Sequence, residues 1–201
     1  SKKVYPIFIF TPEQIDEKKN KFKSNNAVQI LVESLMELDN EIKEEGGKLG
    51  IYYGDVTKVL SSLIKKEKID NIYFNRDYTP YSKERDSKIK KLADKNKINV
   101  ESYDDMLLYP TGLIKSKSGE PYTIFGFYLK EALKIDIEKP KNIRKYNFSK
   151  SVLKSKYLIE DSKLDSFYKL NENLPVNGGR KEALRILNNL DDFKKYNETR
   201  D

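Results

Sequence analysis

Through the first half of the chain, short apolar runs alternate with longer amphipathic stretches. Val4–Phe10 (VYPIFIF) is uninterrupted and β-rich, which predicts a strand buried on both faces of a parallel sheet. From Asn26 to Lys43, Val28, Leu31, Val32, Leu35, Leu38 and Ile42 recur on one helical face, and Gly46-Gly47 supplies a stop. Lys48–Asp55 (KLGIYYGD) predicts the next strand, and Val56–Lys66 a helix with Val56, Val59, Leu60, Leu63 and Ile64 in register. Asn71–Asn75 (NIYFN) is a third strand, a charged helix runs from Pro80 to Lys95, and Ile98–Tyr103 (INVESY) is a fourth strand.

Strictly alternating strands and helices call for parallel pairing through right-handed crossovers, so the predicted fold is α/β with a doubly wound, mostly parallel sheet. Such sheets bind ligands at the carboxyl ends of their strands. Those ends are Thr11–Gln14, Gly54-Asp55, Asn75–Tyr78 and Glu101–Asp105. Beyond Tyr109 a loop turns at Gly119, and Thr123–Lys134 reads as a helix with Ile124, Phe125, Tyr128, Leu129, Ala132 and Leu133 as its apolar face. Residues 136–176 are polar and keep no period, which marks a linker crossing the surface. The last stretch, 177–201, is helical in pattern, with Ala183, Leu184, Ile186, Leu187, Leu190 and Phe193 at helical spacing and nothing after them to pack against. The pattern alone does not say whether another strand belongs before Val4.

Composition narrows the chemistry. The chain has 201 residues, no cysteine and no histidine. That set excludes disulfide frameworks, thiolate or imidazole zinc sites and serine-type triads. The net charge is +7, but the basic residues are spread along most of the chain. A Lys-, Asn- and Ile-rich composition therefore accounts for the surplus as well as a nucleic-acid partner does. No apolar run approaches the roughly 18 residues of a membrane span, and no secretory leader is evident. A soluble protein of a reducing compartment, cytoplasmic or nuclear, is the expectation.

Few motifs carry chemistry. FIFTPEQ after the first strand lacks a glycine-rich phosphate fingerprint, and Gly178-Gly179 reads as a turn before the last helix rather than a phosphate cradle. Asp104-Asp105 could hold a cation, but adjacent acids after a strand more often serve a turn or cap. YSKERDSKIKK alternates charge like a solvated helix face. Glu101 alternates with Val100 near the ligand end of the sheet. There a carboxylate either accepts hydrogen bonds from a polar heterocycle or forms a surface salt bridge. The 14 tyrosines include Tyr73, Tyr78, Tyr81, Tyr103, Tyr109 and Tyr122 near the strand ends, where stacking on a planar ligand or ordinary packing would use them equally well.

In order along the chain, five blocks resemble the photolyase/cryptochrome family of flavoproteins. They are PIFIFTPEQ, KSNNAVQILVESLMELDNEIKEEGGKLGIYYGD, IYFNRDYTPYSKERDSKI, LLYPTGLIKSKSGEPYTIFGFYLK, and a tail of the form G-x-x-x-A-L-x-x-L followed by Y-x-x-x-R-D. The resemblance implies a Rossmann-like antenna domain over 1–135, an interdomain linker over 136–176, and over 177–201 the first helix of a truncated helical FAD-binding domain. It further implies that Glu101 matches the acid contacting the pterin of a folate antenna, and that Tyr196 matches an FAD-contacting tyrosine. Asn25 and Asn26 stand where the family's S-P-N-R segment has Pro and Arg. The family's first strand, with its W-F-R-x-D-L-R-x-x-D-N motif, and the segment that grips the FAD phosphates have no counterpart in these residues.

The resemblance thus implies a deoxyribodipyrimidine photolyase-like chain, by family a carbon–carbon lyase, that carries the antenna part of a light-driven DNA-repair flavoprotein. With no catalytic or metal-binding residue assigned, it should not repair DNA alone. A folate (methenyltetrahydrofolate) or deazaflavin antenna is the cofactor it could hold, and FAD would need a partner supplying the helical domain. The alternatives are a subunit completed by a separate FAD-domain chain, or a non-catalytic folate-, deazaflavin- or nucleotide-binding module. DNA is expected only through such a complex or weakly by charge, and no membrane partner is expected.

Overall fold

The computed structural model describes residues 3–105, 107–137, 139 and 146–199, the side chains of 192, 196 and 199 excepted. The chain divides into two compact units, one made of Ser1–Lys66 with Lys145–Asp201 and the other of Glu67–Arg144. The four expected strands are present and parallel. They pair as β1 (Ile7–Phe10) with β2 (Gly50–Tyr53) in the first unit and β3 (Asn71–Asn75) with β4 (Asn99–Tyr103) in the second. Among the described residues no ladder joins the two pairs. No helix among them is long and apolar enough to cross a membrane.

In the first unit α1 (Pro12–Ile15) is a single turn, which the pattern had left as loop, and α2 (Asn25–Glu44) is the long amphipathic helix. Ser24 caps α2, its hydroxyl accepting from the Ala27 amide at 3.3 Å. Gly46, at φ +78°, turns the chain out of the helix, while Gly47 lies so close to Phe148 that a Cβ would come within 2.4 Å of that side chain. The inner face of α2 (Val28, Val32, Leu35, Ile42) packs with Phe10, Ile51 and Leu164 on one face of the β1–β2 pair. On the other face Tyr52 clusters with Val59 and Leu63 of α3 (Val56–Ile64), against Ile7 and Ile9. Two parallel strands covered on both faces are the doubly wound arrangement in its smallest form.

A buried acid stitches this unit together. Asp39, 2 % exposed, accepts the Leu49 amide at 2.9 Å and pairs with Lys43 at 2.5 Å. The Asp39 carboxylate, mainly through that hydrogen bond, holds the Lys43 ammonium above the usual lysine range.

The segment 146–176 runs over this unit as irregular chain with one 3-10 stretch, Asp161–Phe167. Even so, it sends Leu164, 1 % exposed, and Phe167 into the α2 side of the core, and Leu153, Tyr157 and Leu158 into the α3 side. Its backbone extends the sheet. Val4 bridges Phe148 in parallel fashion, and Leu158 bridges Tyr52 in antiparallel fashion along the outer edge of β2. The tail does not continue as one helix. It breaks into α6 (Arg180–Asn188), a 3-10 turn over Leu190–Phe193, and α7 (Tyr196–Thr199). The start of α6 is held on α2, with the Gly178 amide donating to Glu33 Oε2 at 2.6 Å, Gly179 to Ser34 Oγ at 2.8 Å and Lys181 to Glu37 Oε1 at 2.9 Å.

Tyr52 yields a direct test of this core. It is fully buried, and its hydroxyl donates to the Leu153 carbonyl at 2.8 Å. Burial pushes its phenol up to about 12. The folded state therefore favours the neutral phenol, whereas an unfolded tyrosine ionises near pH ~10. This contribution to stability is complete below pH ~10 and is lost as pH rises from there through the folded value. An ultraviolet phenolate titration should show one tyrosine lagging the others, and the lag should vanish in Tyr52→Phe.

In the second unit α4 (Pro80–Lys95) covers one face of the β3–β4 pair, burying Ser82, Asp86, Ile89 and Ala93. Its outer face carries the alternating charge that the sequence indicated. The helix after Gly119 is shorter than expected, α5 (Phe125–Ala132), and of its apolar face only Ala132 is buried. Phe125 stacks with Tyr128 but remains 72 % exposed.

Candidate functional site

The strand ends of the first unit are occupied by caps. After β1, the Gln14 side-chain oxygen accepts the Thr11 amide at 3.0 Å and closes the turn that starts α1. After β2, Gly54 at φ +151° turns the chain, and Asp55 caps α3 by accepting from the Lys58 amide at 3.0 Å and the Thr57 hydroxyl at 2.6 Å. The Thr57 hydrogen bond is the largest of the effects that hold the Asp55 carboxyl below its usual range. A helix start already supplied with a carboxylate is a poor anion site. The Gly178-Gly179 amides are likewise consumed by Glu33 and Ser34, so this pair docks a helix and does not cradle phosphate.

The loops after β3 and β4 fasten to each other. Asp104 pairs with Arg76 at 3.3 Å and accepts from the Tyr78 hydroxyl at 2.7 Å, and Asp105 accepts from the Asn75 amide at 3.1 Å. Arg76 also donates to the Ser102 carbonyl at 3.1 Å. Asp77 accepts from Ser82 Oγ at 2.7 Å at the start of α4, and this bond chiefly keeps its carboxyl below the ordinary range. The adjacent acids Asp104-Asp105 thus serve loop closure, and the described residues include no group of His, Cys, Asp or Glu fit for a metal ion.

Glu101 stands on the face of the sheet opposite α4. The register places Asn71, Tyr73 and Asn75 of β3 beside Asn99, Glu101 and Tyr103 of β4, and by strand alternation all six share this face. One Glu101 oxygen accepts from Asn99 Nδ2 at 3.2 Å, and the other accepts from the Tyr103 hydroxyl. Asn99 also donates to Asn71 Oδ1 at 3.2 Å. The Glu101 hydrogen bond chiefly raises the Tyr103 phenol above its usual range, and burial and the nearby Glu101 and Tyr73 charges act in the same direction. Tyr73 and Tyr103 are 59 % and 50 % exposed. The salt bridge that competed as a reading of Glu101 is not what the geometry offers, since its partners are an amide and a phenol.

Two aromatic rings, two amides and a carboxylate on one open sheet face can bind and orient a planar heterocycle bearing N–H groups. They supply neither a nucleophile nor a paired acid and base, so the face binds rather than catalyses. Of the residues singled out in the sequence, Glu101, Tyr73 and Tyr103 come together here, while Tyr78 belongs to the loop closure. Tyr196 opens α7, and its side chain lies outside the described residues. Asn71 and Asn99 are additions, signalled only by the same period of two that placed Glu101.

Comparison with known proteins agrees with this architecture. The family model described as DNA photolyase matches residues 1–144. A (6-4)DNA photolyase of Arabidopsis thaliana is 26% identical over 197 residues, 92% of this chain but 35% of that protein. Cryptochrome-1 of Aedes aegypti is 32% identical over 130 residues, covering 64% of this chain and 23% of that one. Among solved structures, an archaeal photolyase from Sulfolobus tokodaii with two FAD molecules, and with the implication of a novel light-harvesting cofactor, superposes at a TM-score of 0.79. It shares 33% identity over 93% of this chain and 40% of its own. A cryptochrome from Synechocystis sp. PCC6803 has the same fold at a TM-score of 0.77. The chain spans about a third of the Arabidopsis protein's length and two fifths of the Sulfolobus one's.

Proposed function

Because the chain belongs to the DNA photolyase family, we propose that it provides the antenna-type α/β part of a light-driven DNA-repair flavoprotein and does not repair DNA by itself. The observation that supports this reading is coverage: 93% of this chain matches the Sulfolobus photolyase, but only 40% of that photolyase is matched. In this reading the residues from 177 onward begin the helical FAD domain, with Tyr196 as one FAD contact.

The antenna face is the Glu101 ledge. Its donor set suits a folate or deazaflavin ring, and also the isoalloxazine of a second FAD, which the Sulfolobus protein's two FAD molecules bring into consideration. Glu101 would accept from ring N–H or amino groups, Asn71 and Asn99 would orient it, and Tyr73 and Tyr103 would cover the ring plane. A bound chromophore would supply light absorption, and the chain's own residues hold and align it.

The test has two readouts. Methenyltetrahydrofolate, a deazaflavin or FAD at about a hundredfold excess over Kd should stabilise the protein by about 2.7 kcal/mol. Glu101→Gln should weaken that binding by about tenfold, the scale of one charge-assisted hydrogen bond. No stabilisation by any of the three ends the antenna reading. Separately, illumination of the protein with FAD and dimer-containing DNA should restore no intact pyrimidines, and restoration would overturn the claim of inactivity.

A second reading, a subunit completed by a separate flavin-domain chain, is favoured by the tail. Leu187, Leu190 and Phe193 are 57 %, 56 % and 49 % exposed, an apolar surface of the kind that partners cover. Co-purification from the native source with a flavin-bearing chain would bear it out.

A further inference from the structure

The outward edge of β1 is open, and its character is unusual. In the β1–β2 ladder the Pro6 and Phe10 carbonyls accept from the Gly50 and Gly54 amides, both at 2.9 Å. Even-numbered residues of β1 therefore turn their backbone polar groups toward β2, and the amides and carbonyls of Ile7 and Ile9 point the other way. Among the described residues nothing pairs with them. The outer edge of β2 is closed by the Tyr52–Leu158 bridge, so β1 is the open side of this ladder.

Edge strands usually carry a lysine, a proline, a bulge or an inward charge that discourages further pairing. Ile7–Phe10 (IFIF) has none of these. Both flanking faces are apolar as well, with the Phe8 and Phe10 side packing against α2 and the Ile7 and Ile9 side against α3. Burial of this kind belongs to an interior strand of a parallel sheet, and a two-stranded ladder is marginal by itself.

We propose that the Ile7–Ile9 edge is a strand acceptor: it takes up, from another polypeptide, an extended segment that is apolar on both faces. The edge itself defines this occupant. Two amides and two carbonyls in strand register are complemented only by an extended backbone, and the flanking clusters require apolar side chains on both of its faces. This inference does not depend on the antenna reading, because it uses only first-unit residues and no chromophore.

The probe is a synthetic peptide with the core Val-Ile-Val-Ile-Val between lysine pairs, compared with the same peptide carrying proline at the central position. Amide hydrogen exchange of the intact chain is followed residue by residue. Saturating peptide should slow exchange at Ile7 and Ile9 by about tenfold or more and raise the melting temperature, and the proline peptide should do neither. Unchanged exchange at Ile7 and Ile9 overturns the proposal, as does protection confined to other residues. Protection already present without peptide also overturns it. If that protection grows with protein concentration, a second copy of the chain holds the edge; if it does not, another part of the same chain does.

Discussion

Phe10→Ala should cost about 4 kcal/mol, the usual scale for emptying a buried aromatic site. Phe10 is fully buried at the end of β1, and its ring meets Phe8 at 4.9 Å and Phe167 at 5.0 Å, both edge-on. Truncation would remove both ring contacts and leave a cavity walled by the strand, α2 and the 3-10 stretch. Backbone ladders on one side and a helix on the other leave those walls little freedom to collapse. The measurement is chemical denaturation monitored by a probe in the first unit, with Phe8→Ala as a partly buried control expected to lose less. A loss below about 1 kcal/mol, the scale of a surface change, would show that the core does not centre on Phe10.

Gly178→Ala should release the tail. A Cβ at this position would sit 2.2 Å from the Ile30 carbonyl oxygen, 2.7 Å from Glu33 Cβ and 2.9 Å from the Ser34 amide nitrogen. Two of those three atoms are α2 backbone, which cannot step aside. None of the α6 residues is buried, so the three amide bonds to Glu33, Ser34 and Glu37 carry most of the attachment. At about 1 kcal/mol each, the loss saturates near ~3 kcal/mol, when the tail has come away and nothing further remains to be broken. Faster hydrogen exchange at residues 178–181 and new protease cuts there, with the β1–β2 amides still protected, are the expected signature. A uniform loss across the first unit would instead make the tail integral to its core.

Local periodicity made the framework legible. Four parallel strands and the long helices after β1, β2 and β3 fall where runs and spacings put them, within a few residues at each end. What escaped was decided by distant neighbours. Asp39 sits on the inner face of a helix whose apolar positions mark it, and nothing local announces that Leu49 needs its carboxylate. Leu164 and Phe167 come from a polar stretch without period, where two well-placed side chains among charged ones leave no pattern. The T-P-x-Q turn formed a helical turn because Gln14 reaches back to the Thr11 amide, and single-turn helices lack the length to show a period. At the site, alternation was enough to place Glu101 with Tyr73 and Tyr103. That Tyr103 and Asn99, and no cation, would hold the carboxylate was a matter of register between strands, which depends on pairing rather than on either strand alone.

The bridge between Val4 and Phe148 has a consequence for synthesis on the ribosome. The first unit is assembled from the two ends of the chain, whereas the second is one continuous stretch lying between them. The later stretch can mature as soon as it emerges, while the earlier one must wait, its hydrophobic strand and long helix only half clothed, until Leu153, Leu158 and Leu164 are translated. Nascent-chain stalling before residue 150 should therefore find the N-terminal portion in the care of chaperones, and the middle portion already protease-resistant.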